Sequence, residues 1–286
     1  MSKPAGLSGG FSRFRVDFAY DGTDFAGWAK QPKLRTVQGE LLAAMSKIFG
    51  EDRHDFGMRV AGRTDAGVHA LAQVCHFDLT PEQLKRAGRS RLTAKRLQSL
   101  LTQEIVIYDV QEVSHDFDAR FSAIGRSYRY LIADGLSPKS PLTSRYELWV
   151  EAELDTSLMQ QAADSLVGLR DFGAFCKPRE GATTIRELRK LKVTRSDDNI
   201  EVYLEADAFC HNQVRSIVGA LIAVGGNKLS LADLETILNG KTRVSAFKVV
   251  APHGLALTSI EYPSDDQLAA QAEKARRLRS EEEISV

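Results

Sequence analysis

Apolar residues recur with two different periods along this chain, and the alternation of those periods limits what it can fold into. Residues Phe14 to Tyr20 (FRVDFAY) are β-branched and aromatic and end at the turn pair Asp21-Gly22, the pattern of a strand. From Thr36, a capping residue type, Val37, Leu41, Leu42, Met45, Ile48 and Phe49 recur three and four apart until Gly50, the pattern of a helix with one buried stripe. Further strands are expected just before Gly62, over 70–78 and at IVIYDV (105–110), with a second helix over 94–101. A similar order then returns as a loose internal repeat: a strand over 122–133, a helix over 155–168, paired strands over 188–194 and 200–208, and a helix after Asn212. A last strand spans 255–262 and stops at Pro263.

Two of these segments carry the clearest periodicity. Val202, Leu204 and Ala206 alternate with Glu201, Tyr203, Glu205 and Asp207, so one face of that strand packs on helices. After Asn212, Val214, Ile217, Val218, Leu221 and Ile222 form the single stripe of a helix lying on a sheet. Short turns between neighbouring strands favour an α+β architecture with a mainly antiparallel sheet. The expected organisation is a loose N-terminus over 1–13, one half over 14–115, a second over 116–263, and a charged tail over 264–286. That tail, with little apolar stripe, reads as a solvated helix or a fraying end.

Composition bounds function more by exclusion than by support. Lys and Arg (38) equal Asp and Glu (38), so any basic footprint for a nucleic acid has to be local. Two runs could supply one: Lys85, Arg86, Arg89, Arg91, Lys95 and Arg96, and Lys177, Arg179, Arg186, Arg189, Lys190, Lys192 and Arg195. Either could equally be a solvated face. Cys75, Cys176 and Cys210 are odd in number and far apart, which argues against a disulfide framework and a thiolate metal site and for a reducing cytoplasm. The six histidines, at 54, 69, 76, 115, 211 and 253, include no clear metal pair; His69 and His76 fall on opposite sides of one strand. MSKPAGLSGG lacks a signal-peptide core, and no run of about 18 apolar residues suggests a membrane span. GxGxxG, P-loop, HExxH and GxSxG motifs are absent, so the dinucleotide, nucleotide-triphosphate, zinc-protease and hydrolase-elbow readings lack their motifs, and metal-free chemistry is the default.

Chemistry-bearing residues concentrate in Gly62-Arg63-Thr64-Asp65-Ala66-Gly67-Val68-His69, between two expected strands. Gly62 and Gly67 allow a sharp turn that presents Arg63 and Asp65 together, although a lone T-D-A-G is more often a plain Asx turn. In Gly125-Arg126-Ser127-Tyr128-Arg129-Tyr130, alternation places Arg126, Tyr128 and Tyr130 on one face, where rings can stack on bases and guanidinium groups can meet phosphates. A cross-strand aromatic pair explains the same pattern. Arg215 lies beside the apolar stripe of its helix and can either pair with a carboxylate or reach water.

Together, FAYDGTDFAGW, RTVQGEL, GRTDAGVHA, RFSAIGRSYRYLI, HNQVRSIVGALIAVG and APHGLAL resemble, in that order from about Phe14 to Tyr262, the bacterial tRNA pseudouridine synthase A family. The resemblance implies two α+β halves sharing a mainly antiparallel sheet with a cleft between them. It also implies a homodimer acting on uridines 38, 39 and 40 in the anticodon arm of tRNA, without cofactor or metal. By position, Asp65 resembles the catalytic aspartate, Tyr128 the tyrosine stacking on the target base, and Arg63 the residue holding the nucleotide out of its stack. Arg215 resembles the arginine paired with the catalytic carboxylate and Leu255 the apolar residue lining the pocket, with Arg126 and Arg129 as further substrate contacts. The chain departs from the commonest form at Asn212-Gln213, where His-Met is frequent, and at Ala256, where a larger residue often stands.

The implied reaction breaks the bond from ribose to N1, turns the uracil and joins C5 to the ribose. A carboxylate can attack sugar or base, or first remove a ribose proton. A neighbouring arginine would keep it ionised, and Tyr128 could also take the surplus C5 proton. A non-enzymatic RNA-binding module and a carboxylate N-glycosidase are the rival readings: the first has no use for Asp65, and the second releases free uracil.

Overall fold

The computed structural model describes residues 10–50, 55–88, 92–179 and 181–285. It divides into two compact units, Met1–Ile124 with Ile260–Arg276, and Gly125–Ser259 with Arg277–Val286. Residues 1–9 of the expected loose N-terminus, His54, and Arg89 and Arg91 of the first basic run lie outside the described residues.

The first unit contains β1 (Ser12–Tyr20), α1 (Val37–Phe49), β2 (Arg59–Val60), β3 (His69–Leu79), α2 (Pro81–Ala87), α3 (Ala94–Gln98) and β4 (Ile105–Val113). Its strands run β4-β1-β3, with β2 added on β3 and every one of these pairs antiparallel. The registers put Val16 of β1 between Cys75 of β3 and Val110 of β4. The expected helix at Val37 is present: Thr36 accepts the Gly39 N–H at its hydroxyl, Gly50 closes the helix at φ 68°, and the six stripe residues are buried. A cap of this kind contributes about 1 kcal/mol.

Two features of this unit differ from the sequence expectation. The strand expected from 122 begins only at Gly125, because the Asp118 carboxylate accepts the N–H groups of Arg120 (2.9 Å) and Phe121 (3.0 Å) and holds 118–121 in a turn. The tail does not fray after Tyr262: α7 (Leu268–Lys274) buries Leu268 and Ala272, one helical turn apart. Leu268 joins a small core with Ala61, Val74, Phe117 and Ala119, and the Ser122 hydroxyl donates to its carbonyl at 3.2 Å. Two apolar positions suffice to dock so short a helix, fewer than a periodicity search can register.

The second unit contains β5 (Gly125–Ala133), β6 (Leu148–Trp149), α4 (Thr156–Leu166), β7 (Gly168–Asp171), β8 (Ile185–Arg195), β9 (Ile200–Ala206), α5 (Gln213–Gly225), α6 (Leu231–Gly240) and β10 (Leu255–Glu261), whose last two residues belong to the first unit. The strand order is β10-β5-β9-β8-β7; β6 pairs parallel with β5, and the β5–β9, β9–β8 and β8–β7 pairs are antiparallel. Along β9, Ile200, Val202, Leu204 and Ala206 are buried in strict alternation.

Helix α5 departs from the single-stripe expectation. Besides the stripe, Ser216, Gly219, Ala220, Ala223, Val224 and Gly225 are buried. These small residues let other segments close on the helix: a Cβ on Gly219 would lie 1.9 Å from the Lys248 carbonyl oxygen. The cysteine expectation is also corrected, since Cys176 and Cys210 form a disulfide across 34 residues, with Cα atoms 5.8 Å apart. The Lys177 N–H donates to the His211 carbonyl at 2.9 Å and brings the two segments into register. Cys75 is the remaining free cysteine, and burial pushes its thiol up.

Candidate active site

The Gly62–Val68 loop leaves β2 and enters β3, and its shape is set mostly by atoms outside it. Tyr20, at the end of β1, is fully buried, and burial pushes its phenol up to about 12 even though Thr64 and Gln73 hydrogen bonds act the other way. The hydroxyl accepts from Gln73 Nε2 (3.3 Å) and shares a hydrogen bond with Thr64 Oγ1 (2.7 Å), while Gln73 Nε2 also donates to the Gly62 carbonyl (2.8 Å). Thr64 is thereby fixed directly before Asp65.

Backbone from the segment 22–28 holds the other side. The Trp28 N–H donates to the Thr64 carbonyl at 3.1 Å, and the Gly67 N–H donates to the Phe25 carbonyl at 3.3 Å. Gly27, at φ +89°, approaches so closely that a Cβ would lie 3.0 Å from the Thr64 oxygen. At Gly22 a Cβ would lie 2.0 Å from the Val68 oxygen, so no side chain fits there without moving the loop. His69 Nδ1 lies 3.0 Å from both the Gly22 nitrogen and Asp21 Oδ1.

This arrangement leaves Asp65 half-buried and Arg63 exposed on one loop. Val68 N–H closes a backbone turn by donating to the Asp65 carbonyl at 3.2 Å. The YDGT and AGW segments thus act as the cradle of the Asp65 loop. Tyr20, Gly22, Gly27 and Gln73 were not singled out as site residues from sequence; the signal available was that the motifs containing the first three accompany GRTDAGVHA.

In the second unit, β5 carries Arg126, Tyr128 and Tyr130 on one face, as alternation requires. Tyr128 is buried, and its ring meets Phe209 edge-on with centroids 5.2 Å apart. Tyr130 is fully buried and donates to the Ala251 carbonyl at 2.7 Å; burial pushes its phenol up, with the Arg215 charge acting the other way. Arg215 Nε donates to the Val250 carbonyl at 2.7 Å. The segment 250–254 is therefore tied to both β5 and α5, and it delivers Leu255, buried, at the start of β10. A Cβ on Gly254 would lie 2.7 Å from the Tyr130 ring, so the segment lies directly against that tyrosine. Arg126, buried, donates to the Asp207 carbonyl at 2.8 Å. Arg129 is on the opposite face, paired in register with Tyr203. The second unit thus groups Tyr130, Arg215 and Leu255 around one segment, and Phe209 is a neighbour of Tyr128 that sequence reasoning missed.

The family described as tRNA pseudouridine synthase matches residues 18–122 and 162–263, which include the cradled loop, Arg215 and Leu255 but not β5. The chain belongs to the tRNA pseudouridine synthase family. It is 44% identical over 282 residues to a tRNA pseudouridine synthase A of Leifsonia xyli, covering 94% of this chain and 98% of that one. Relatives of the same description from Streptomyces avermitilis (45% over 273 residues; 95% of each chain) and Cutibacterium acnes (45% over 276; 96% and 97%) are similar over the same extent. As a tRNA pseudouridine synthase the protein is an isomerase that rearranges uridine in tRNA. Among the described residues, no helix is long and apolar enough to cross a membrane, and no three or more His, Cys, Asp or Glu side chains group as a metal site.

Proposed function

We propose that this synthase modifies uridines 38, 39 and 40 in the anticodon arm of tRNA, as a cytoplasmic homodimer needing neither cofactor nor metal, with Asp65 as its catalytic carboxylate. The observation that carries the reading is the double anchorage of Thr64, by Tyr20 from β1 and by the Trp28 N–H, next to a half-exposed aspartate. A carboxylate used once per turnover in a crowded site gains from being held in place before substrate arrives.

The base has to leave its stack first, at about a few kcal/mol. Arg63 offsets this by occupying the vacated place, and Tyr128, backed by Phe209, by stacking on the turned base. Asp65 then assists cleavage of the bond between N1 and ribose C1′. The uracil turns within a pocket lined by Leu255, C5 bonds to C1′, the C5 hydrogen leaves as a proton, and N1 takes one up. No atom is gained or lost overall. Arg215 takes the part its motif has in the family, that of the carboxylate's cation, and Tyr128 is the candidate to receive the C5 proton, directly or through water. Arg126 and Arg129 serve as contacts to the RNA backbone, the latter from the other face of β5.

The test is tritium release from tRNA labelled at uracil C5, with modified positions mapped by chemical derivatisation. Release mapping to the anticodon arm supports the reading. Release of free uracil would make the protein an N-glycosidase, and modification elsewhere in the tRNA would remove the positional assignment.

A further inference from the structure

The chain has no net charge, so a basic footprint for RNA has to be built locally, and one is present in the first unit away from the Asp65 loop's own residues. Three guanidinium groups surround the Phe121 ring: Arg276 at 4.8 Å, Arg120 at 5.0 Å and Arg59 at 5.6 Å from its centroid. They come from three separate stretches of chain, β2, the turn before β5 and the end of α7, and none belongs to either basic run of the sequence. The Arg59 and Arg276 side chains are each 46% exposed, and Arg120 is exposed.

One carboxylate lies among them. Asp118, 8% exposed, accepts from Arg59 Nη1 and lies 3.5 Å from Arg276 Nη2, and it also accepts the N–H groups of Arg120 and Phe121. Burial raises its pKa, but those N–H groups and the Arg59 charge outweigh this, so it stays ionised. The nearby Asp78 is committed elsewhere, to a two-pronged pair with Arg13 at 2.7 and 2.8 Å. Three guanidinium groups thus share one ring and one buried carboxylate at the surface, and stacking against the ring supplies about 0.5 to 1 kcal/mol per exposed pair.

We propose that Arg59, Arg120 and Arg276, arrayed on Phe121, bind the phosphodiester backbone of the substrate RNA. The inference rests on the tRNA reading above and deepens it. Stacking on Phe121 and pairing with Asp118 hold the planes of the guanidinium forks in advance, which suits phosphate oxygens and lowers the ordering cost of binding. Arg59 opens β2, which runs directly into the Asp65 loop, so a phosphate held there fixes RNA against the element that carries the carboxylate. Arg276 gives the charged tail a function: α7 docks through Leu268 and Ala272 and thereby delivers an arginine to the patch.

The experiment is fluorescence anisotropy of the full chain with an unmodified tRNA transcript over a series of KCl concentrations. Wild type is compared with Arg120→Gln, Arg276→Gln and Arg120→Lys, and with Arg145→Gln as a control for loss of one exposed charge elsewhere. Each lost phosphate contact is expected to flatten the slope of log K against log salt by roughly 0.7 to 0.9. The expected result is that flattening, with weaker binding, for Arg120→Gln and Arg276→Gln, partial rescue by Arg120→Lys, and no change for Arg145→Gln. A lowered melting temperature for Arg276→Gln with affinity and slope unchanged in both variants would overturn the proposal and leave the arginines as partners of Asp118 and Phe121 alone. Arg120→Gln keeps the backbone N–H that Asp118 accepts, so that hydrogen bond is common to wild type and variant. Wild type that binds no tRNA would instead overturn the tRNA reading itself, and the patch with it.

Discussion

The two units hold their candidate residues by different means. In the first, the Asp65 loop is fixed by backbone: N–H groups of Trp28 and Gly67, close approaches at Gly22 and Gly27, and one buried hydroxyl chain through Tyr20. In the second, Tyr128, Arg215 and Leu255 are positioned by side chains: an edge-on ring, a guanidinium on a carbonyl, and a tyrosine hydroxyl on the segment before Leu255. Backbone anchorage tolerates almost no displacement, whereas side-chain anchorage can readjust among rotamers. The contrast suits the proposed division of labour, with the reacting carboxylate in the rigid setting and base recognition in the adaptable one.

Removing the carboxylate should have the largest effect. Asp65→Asn keeps the size of the side chain and is expected to lower tritium release by roughly 10³-fold or more, with an unchanged melting temperature and retained tRNA binding. Activity within tenfold of wild type would place the chemistry elsewhere. The two glycines compare the anchorages directly. Gly22→Ala puts a methyl group 2.0 Å from the Val68 oxygen and has to move the loop backbone, so kcat should fall about 10²-fold, in line with a displacement near 1 Å. Gly254→Ala presses on the Tyr130 ring at 2.7 Å and on the Leu131 carbonyl oxygen at 2.8 Å, so it is the segment before Leu255 that has to shift and the change should appear mainly in KM. Equal effects on kcat and KM from both substitutions would erase the distinction between the units.

A smaller effect is expected at the aromatic platform. Tyr128→Ala removes a stacking surface worth about 1 to 3 kcal/mol, so KM should rise roughly 5- to 150-fold. Tyr128→Phe keeps the ring and its edge-on contact with Phe209 and should retain KM, while a fall in kcat alone would assign the hydroxyl to proton transfer. If Phe and Ala substitutions raise KM equally, stacking is not the role of Tyr128.

How much of this could be read from the sequence follows from the range of each interaction. Long strands such as β1, β3 and β9 and the capped helix α1 were legible because alternation and three-four spacing are local properties. Helix α2, seven residues behind a Thr80–Gln83 capping box, carries too few apolar positions to register, whereas α6, opened by Ser230 and Asp233, has Leu231, Leu234, Ile237 and Leu238 at helical spacing and was passed over although that signal was present. At the site, Asp65, Arg63 and Tyr128 were named through motifs, yet the cradle was not foreseen, since the close approach of Gly22 to Val68 depends on pairing β1 with β3. The Cys176–Cys210 pair likewise depends on a hairpin between two distant segments, and an odd cysteine count pointed the other way. The arginines around Phe121 are scattered over more than 200 residues, so a search for basic runs passes over them.

Acid should separate the units as well, and this is the smallest effect. Burial first, and then the nearby Arg13 charge, lower the His76 pKa from 6.5 to about 4, and its Nδ1 accepts the Ala119 N–H at 2.9 Å. Between those values the unfolded chain binds the proton and the folded unit does not, so stability falls as pH drops from about 6.5 towards 4, by about 1 kcal/mol at roughly pH 5.5. In the second unit, burial raises the Asp134 pKa, but the Arg195 fork at 2.6 and 3.0 Å outweighs it and holds the carboxyl at about 2. That depressed pKa contributes stability above 3.8, which is lost only as pH falls from there towards about 2. The first unit should therefore loosen at milder acidity than the second. The two tryptophans, Trp28 in the first unit and Trp149 in the second, allow this to be read from Trp28→Phe and Trp149→Phe variants by fluorescence during acid titration in dilute denaturant. Retention of Trp28 emission until Trp149 responds would show that the units unfold as one cooperative body, while an earlier Trp28 transition that His76→Gln abolishes would assign the difference to that imidazole.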